Sequence, residues 1–245
     1  MSYIFAPILW YPALKHYSGQ KRDKNCIKKY GVYMSGNFSC HNSKTLSVKK
    51  TREFAKKKGL TINDLMMGIT SKVLTEYFVS QGDNTNQISI TVPFTYKVIP
   101  QRMRDYTYGN QFISMTIYLK LVDNLDLACS MAKSLADQIK KSTQPIAMKT
   151  LLEFYAYFMP AAFNSFVTSS SGTKHTLLFS NISGFVTTVY YAGQPAKRVF
   201  YMGGGPGNMC SSIVLVSINK RLQVTISSDD TQIKDTKGLA ESFDA

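Results

Sequence analysis

The chain has 245 residues, 44% of them apolar and 12% aromatic, which suffices for one large domain or two small ones and excludes a disordered chain. Its net charge of +14 is unevenly spread: between Met1 and Lys72, fourteen Lys and Arg face only Asp23, Glu53 and Asp64. A surface this basic attracts nucleic acid, an anionic membrane or a phosphate-rich cofactor, or is simply solvated, and composition does not choose among these.

The first segment, Met1–Lys29, runs from an apolar start interrupted by Pro7 and Pro12 into the basic stretch YSGQKRDKNCIKK. It has no leading positive charge, so it does not read as a signal peptide. It is expected as a connection (1–29) ahead of one domain (30–245). Weak alternation predicts a strand over Tyr30–Ser39, and Leu46–Lys58 reads as a short basic helix stopped by Gly59. The strongest element follows. Thr61 is a good N-cap, and Asp64 three residues on completes a capping box and faces the positive end of the helix dipole. Ile62, Leu65, Met66, Ile69, Val73, Leu74, Tyr77 and Phe78 then recur at helical spacing, predicting a helix over Ile62–Val79.

Strands are predicted at Ile88–Tyr96 and, after a Gly109-Asn110 turn, at Phe112–Leu121. Asp126–Ser142 reads as a helix with Leu127, Met131, Leu135 and Ile139 as its core stripe. Ile146–Val167 reads as a second helix, apolar nearly all round and kinked near Pro160, and Thr168–Gly172 as a loop. The last third predicts strands at Thr176–Asn181, Val186–Tyr191, Arg198–Met202, Ser211–Ile218 and Leu222–Ser228, with turns at Ser183-Gly184, Gly203–Gly207 and Asn219-Lys220. A helix over Asp235–Phe243 closes the chain. Irregular alternation ending in hairpins argues for an α/β or α+β sandwich with a mixed sheet, not a doubly wound parallel sheet. No run reaches the roughly 18 uncharged apolar residues of a membrane span.

Chemistry-bearing residues are few. Cys26, Cys40, Cys129 and Cys210 include no CxxC pair and read as free thiols rather than a zinc site. His16, His41 and His175 are mutually isolated; His175, at the mouth of a strand, reads as a base or as a surface residue. No Ser lies in a G-x-S-x-G elbow. The glycines Gly203, Gly204, Gly205 and Gly207 lack the Lys-Ser/Thr of a phosphate loop and read as a turn that can line a pocket. In FSNISGF, Ser180 and Asn181 end a buried strand. They either hydrogen-bond a carbonyl or oxyanion or close a turn on their own backbone. Lys28, Lys29 and Tyr30 with Tyr106 and Tyr108 suit nucleic acid, but no RNP, KH, zinc-finger or helix-turn-helix signature accompanies them, and nucleic acid is not the expected partner.

Four pieces in order, TINDLMMGITSKVLTEYF, SITVPFTYK, GNQFISMTIYL and LLFSNISGF, resemble the C-terminal domain of the wax ester synthase/diacylglycerol acyltransferase family, from about Tyr30 to the end. The resemblance implies a chloramphenicol-acetyltransferase-like two-layer sandwich, its mixed sheet flanked by helices. It also implies an acyl-CoA-dependent O-acyltransferase that makes triacylglycerol or wax esters from diacylglycerol or a long-chain alcohol. Acyl-CoA is then a co-substrate, no cofactor is bound, and the channel lies between two similar halves. In such enzymes the N-terminal half carries HHxxxDG, whose second His takes the proton of the attacking hydroxyl. The family's C-terminal motifs fall here on Asn63, Asp64, Pro93 (after Val92), Ser180, Asn181 and Gly184.

HHxxxDG does not occur in this chain, so no catalytic residue is identified and His175 is the candidate left for a base. Met1–Lys29 resembles the end of the segment that joins the halves. Two readings stay open: half of an acyltransferase, incomplete alone, or a non-catalytic module of the same fold that holds acyl chains, a membrane or a partner subunit. A lone half is expected to expose an apolar face to its N-terminal half or to a second copy. The Ile146–Val167 helix and the basic N-terminal region suit a lipid surface. The expected location is intracellular, peripheral to the endoplasmic reticulum or the plasma membrane.

Overall fold

A computed structural model of the protein describes residues 10, 11, 14, 15, 18–95 and 112–244. The main sheet holds β1 (Phe38–Asn42), β2 (Leu46–Ser47), β3 (Gln87–Thr95), β4 (Phe112–Lys120), β5 (Leu177–Ser183), β8 (Ser211–Ile218) and β9 (Arg221–Asp229). Its order is β1-β9-β8-β5-β3-β4, with β2 paired to β9. β3, β5 and β8 run parallel, and β4 and β9 run antiparallel to their neighbours, so the sheet is mixed. A separate two-residue hairpin, β6 (Tyr190–Tyr191) and β7 (Gln194–Pro195), stands off the sheet.

One face of the sheet carries the apolar core. Strand alternation turns Ile88, Ile90 and Val92 of β3, Leu177 and Phe179 of β5, Ile213 and Leu215 of β8, and Val224 and Ile226 of β9 to that side. They pack on α2 (Ile62–Ser80) through Met66, Met67, Val73, Leu74 and Phe78, joined by α3 (Leu125–Lys141). Each such fully buried side chain contributes about 1.5–3 kcal/mol. The opposite face is polar for much of its length, with Ser89, Thr91, Ser180, Ser212, Thr225 and Ser227 all buried there.

The α3 stripe differs from expectation. Leu127 and Met131 are 50% and 38% exposed, and the face turned inward is Ala128, Cys129, Ala132, Ala136 and Ile139. Gly68 of α2 sets this: a Cβ there would stand 2.4 Å from the Cys129 Sγ and 2.8 Å from its Cα. The two helices approach too closely for large side chains, so the small residues face in and the Leu and Met face out.

Other boundaries also moved. The first strand lies at Phe38–Asn42, after the Gly36 turn, rather than over Tyr30–Ser39. Leu46 and Ser47 pair with β9, and α1 (Val48–Lys57) begins only after the Ser47 cap. The apolar helix is two helices, α4 (Gln144–Phe158) and α5 (Ala161–Gly172), because Met159 precedes Pro160 and is extended (φ −104°, ψ 142°). TSSSG is the end of α5, not a loop. A Cβ on Gly172 would meet the Pro206 carbonyl oxygen at 1.7 Å, so this helix end and the glycine-rich turn pack backbone to backbone. Residues 198–202 form no strand: both β5 and β8 already have their partners, and Gly203 is held instead by the side chains of Ser212 and Ser227.

The basic N-terminal run is built into the domain. Ile27 is in the core. The Asp23 Oδ2 accepts from the Ser89 N–H and the Thr176 hydroxyl, each at 2.6 Å. Lys28 is buried and donates to Gly172 O, Asn208 O and Asn208 Oδ1. α6 (Thr236–Glu241), capped by Asp235, and a 3-10 turn over Ser242–Asp244 close the chain against β1 and β9. His16, Tyr96, Tyr106, Tyr108, Gly109 and Asn110 lie outside the described residues.

Candidate functional site

The site begins with α2. The Thr61 hydroxyl accepts from the Asp64 N–H at 3.2 Å and Asp64 Oδ2 accepts from the Thr61 N–H at 2.9 Å, a complete capping box. Asp64 is 2% exposed, and its second oxygen, Oδ1, is buried with no hydrogen-bond partner among the described residues. Asn63, half-buried beside it, projects from the first turn.

β5 supplies the second wall. Its alternation places Asn181 on the α2 face, in line with Leu177 and Phe179, and the Asn181 Nδ2 donates to Asn63 Oδ1 at 3.4 Å. Ser180 points to the opposite, polar face and is 7% exposed. The adjacent pair in the sequence is therefore split by the sheet, and the two side chains do not converge on one atom. Gly184 ends the strand where its N–H donates to Ser217 O at 2.7 Å; a Cβ there would stand 2.5 Å from that oxygen.

β3 supplies the third wall. Its parallel pairing with β5 covers only Ile90–Leu177 and Thr91–Leu178. Beyond these the strands part, and continuing the register would set Pro93 opposite Ser180. Proline has no N–H to extend a ladder, which suits a strand that loses its neighbour at this point. Thr91, 8% exposed, sits at the parting with a buried hydroxyl that has no partner among the described residues. Sequence reasoning passed over Thr91 because a Thr in an alternating strand is ordinary; only the end of the pairing beside it gives it interest. A crevice at the carboxyl ends of parallel strands, facing a helix N-terminus, is where α/β sheets bind ligands.

His175 is elsewhere. It precedes β5 at the other end of the strand, about 20 Å from Asn181 by strand rise. It is 1% exposed, with Nδ1 3.3 Å from the Ser89 hydroxyl and Nε2 3.3 Å from that of Thr116 and 3.5 Å from that of Ser171. It is buried rather than at the surface, with the hydroxyls of Ser89, Thr116 and Ser171 around it. His41 bonds Thr236 at 2.8 Å, against α6. No three His, Cys, Asp or Glu converge as metal ligands among the described residues.

Thiol chemistry has little support. Burial pushes the thiols of Cys40, Cys129 and Cys210 up, and burial with the neighbouring Asp83 carboxylate pushes Cys26 up to about 12. Open concavities among the described residues include one of about 670 Å³ beside Lys44, Arg198 and Asp244 and one of about 500 Å³ beside Lys58, Gly59 and Lys133, neither lined by Asn63, Pro93 or Asn181. Past Gly184 the chain leaves the sheet as an arm whose Phe185, Val186, Tyr190, Tyr191, Phe200 and Met202 are exposed.

The WS/DGAT C-terminal domain family matches residues 108–245. No curated protein matches the chain by sequence. Among solved structures, the wax ester synthase/diacylglycerol acyltransferase from Marinobacter aquaeolei VT8 is similar over 98% of this chain and 54% of its own, at 13% identity and a TM-score of 0.61. The epimerization domain from the third module of tyrocidine synthetase B is similar over 98% of this chain and 55% of its own (12% identity, TM-score 0.60). A structure describing condensation domain-mediated chain release from the enacyloxin polyketide synthase is similar over 96% and 45% (8% identity, TM-score 0.60). At these identities the likeness is one of fold, and the chain spans about half the length of the structures it resembles. The mixed sheet with its helices is the fold of these acyltransferase and condensation structures, and the chain belongs to the WS/DGAT C-terminal domain family.

Proposed function

We propose that the chain is the C-terminal half of an acyl-CoA-dependent O-acyltransferase that esterifies diacylglycerol or a long-chain alcohol, and that it works only with a half carrying HHxxxDG. The observation that carries this reading is the Asn63–Asn181 pair at the N-terminus of α2, beside the crevice where β3 and β5 part. Both residues are assigned to family motifs by resemblance, and Asn181 lies within the residues 108–245 that the family matches. Amide side chains at a helix N-terminus are suited to hold a thioester carbonyl as negative charge develops on its oxygen. The alcohol proton needs a base, and no His among the described residues stands at this site; the second His of HHxxxDG on the other half fills that role. The exposed arm after Gly184 leads straight from the site, which fits it as a docking element for that half.

The test is acyl transfer from labelled palmitoyl-CoA to diacylglycerol and to hexadecanol, with the chain alone and with an added HHxxxDG-bearing half. The expected result is product only on complementation. Product from the chain alone means the base lies within it. No product with a folded complementing half leaves the non-catalytic module, which holds acyl chains or a partner, as the reading.

A further inference from the structure

The α4–α5 elbow is one of two exposed apolar surfaces among the described residues, the other being the arm after Gly184. From Phe154 to Thr173 no side chain is charged. Around the break at Met159-Pro160, Tyr157 is 84% exposed, Phe158 70% and Phe166 69%, with Phe163 also exposed. These rings do not collapse onto the core. They extend a stack that starts with Trp10 on Phe154 (centroids 4.9 Å apart), continues to Phe158 (5.0 Å), and includes Tyr155 on Phe163 (5.7 Å). The Asn164 Nδ2 donates to Tyr155 O and Met159 O, which fixes the bend, so the aromatic group is presented by a built corner. Charge stands on either side of this run: Lys140 and Lys141 end α3 just before α4, Lys149 pairs with Glu153 on α4 at 3.3 Å, and Lys174 follows α5.

We infer that this elbow inserts shallowly into an anionic lipid bilayer. An uncharged tip of Phe and Tyr with Lys at its foot matches the layering of a membrane surface, acyl chains below and phosphates above, in both polarity and charge. α4 packs against β4 and α3, and the end of α5 meets the turn at Pro206-Gly207. No helix among the described residues is long and apolar enough to cross a membrane, which makes the contact interfacial. The inference goes beyond the acyl-transfer reading and does not need it, since lipid binding is read without substrate.

Trp10, the one tryptophan of the chain, reports on the elbow directly, because its Nε1 donates to the Thr150 hydroxyl of α4 at 2.9 Å. The full chain is mixed at low salt with phosphatidylcholine vesicles containing phosphatidylglycerol, and its flotation and Trp10 emission are followed. The chain is expected to float, with a blue-shifted emission that brominated acyl chains quench. The variant Tyr157→Ser/Phe158→Ser/Phe166→Ser is expected to lose at least about tenfold in partitioning. Lys140→Glu/Lys141→Glu is expected to float only weakly on these vesicles. Absence of flotation, flotation without bromolipid quenching, or a folded triple-serine variant that floats like the unaltered chain would each overturn the inference. The quenching measurement uses the unaltered chain and decides the matter even if a variant fails to fold.

Discussion

Asn181 of β5 and Asn63 of α2 are 118 residues apart in the chain and are joined side chain to side chain at 3.4 Å. The pair fixes the strand end against the helix N-terminus, so each amide orients the other. In the enzyme reassembled with an HHxxxDG-bearing half, Asn63→Ala and Asn181→Ala are each expected to lower kcat by about 10²-fold. Because Asn181 is exposed, the melting temperature of Asn181→Ala is expected to stay close to that of the unaltered chain. A fall in stability matched to the fall in rate would make the pair structural only.

Gly68→Ala tests the α2–α3 crossing. Alanine is the better helix former by about 1 kcal/mol, but its Cβ would meet the Cys129 Sγ at 2.4 Å, its Cα at 2.8 Å and its N at 2.9 Å. Overpacking of this kind costs about 1–3 kcal/mol, so thermal unfolding is expected to show a net loss. Because two of the three clashes are with backbone, Gly68→Ala/Cys129→Ala is expected to remain less stable than Cys129→Ala alone.

Asp229 should give the protein part of its acid sensitivity. Burial by itself raises its carboxyl, but the Thr231 hydroxyl and N–H and the N–H groups of Gly36 and Ser35 outweigh it and hold it at about 2. The folded value lies below the unfolded one, so the stabilisation is present above about pH 4 and is lost as pH falls through about 2. Asp229→Asn is expected to melt lower than the unaltered chain at pH 7, with the difference shrinking toward pH 2.

Lys28 behaves in the opposite sense at high pH. Burial lowers its ammonium to about 8 despite three carbonyl-type acceptors. Between about 8 and its unfolded value near 10.4 the unfolded chain holds the proton and the folded chain does not, so stability from this group rises with pH. Lys28→Met is expected to be destabilised at pH 7 by unpaired carbonyls at Gly172 and Asn208. As pH rises from 8 to 10, the melting-temperature difference is expected to move in favour of the unaltered chain.

Docking of a complementing half has a simple readout in the arm. Lys197 and Arg198 are exposed there, between Pro195 and the apolar run at Val199. Trypsin is expected to cut the isolated chain at these residues and to be slowed at least about tenfold in the reassembled enzyme. Equal cleavage in both would remove the arm from the interface.

The elements legible in the sequence were those whose pattern is local. Thr61 and Asp64 announce the start of α2 because a capping box is written in adjacent residues, and β8 and β9 show in their β-branched runs and the Asn219-Lys220 turn, both residues at positive φ. What was not legible depended on partners distant in sequence. The α3 stripe was misread because only the approach of Gly68 makes Ala128 and Ala132, not Leu127 and Met131, the inward face. The segment around Asp23 and Lys28 reads in the sequence as a connection because its partners, Ser89, Thr176 and Asn208, lie 66 to 180 residues away. Motif spacing named Asn63 and Asn181, but whether they meet, and that Ser180 turns away, depends on the helix-to-sheet register that no local signal carries.

The two residue pairs that join β3 to β5 have a mechanical consequence. β1, β9, β8 and β5 form one plate and β3 with β4 another, and the seam between them is the shortest of the long-strand joints. Of the joints between the long strands this one has the fewest ladder pairs, with Asp23 tying its far end through Ser89 and Thr176, so bending of the sheet is expected to concentrate there. The crevice beside Asn181 lies next to that joint. On the proposed function, an acyl chain bound in the crevice would press on this joint.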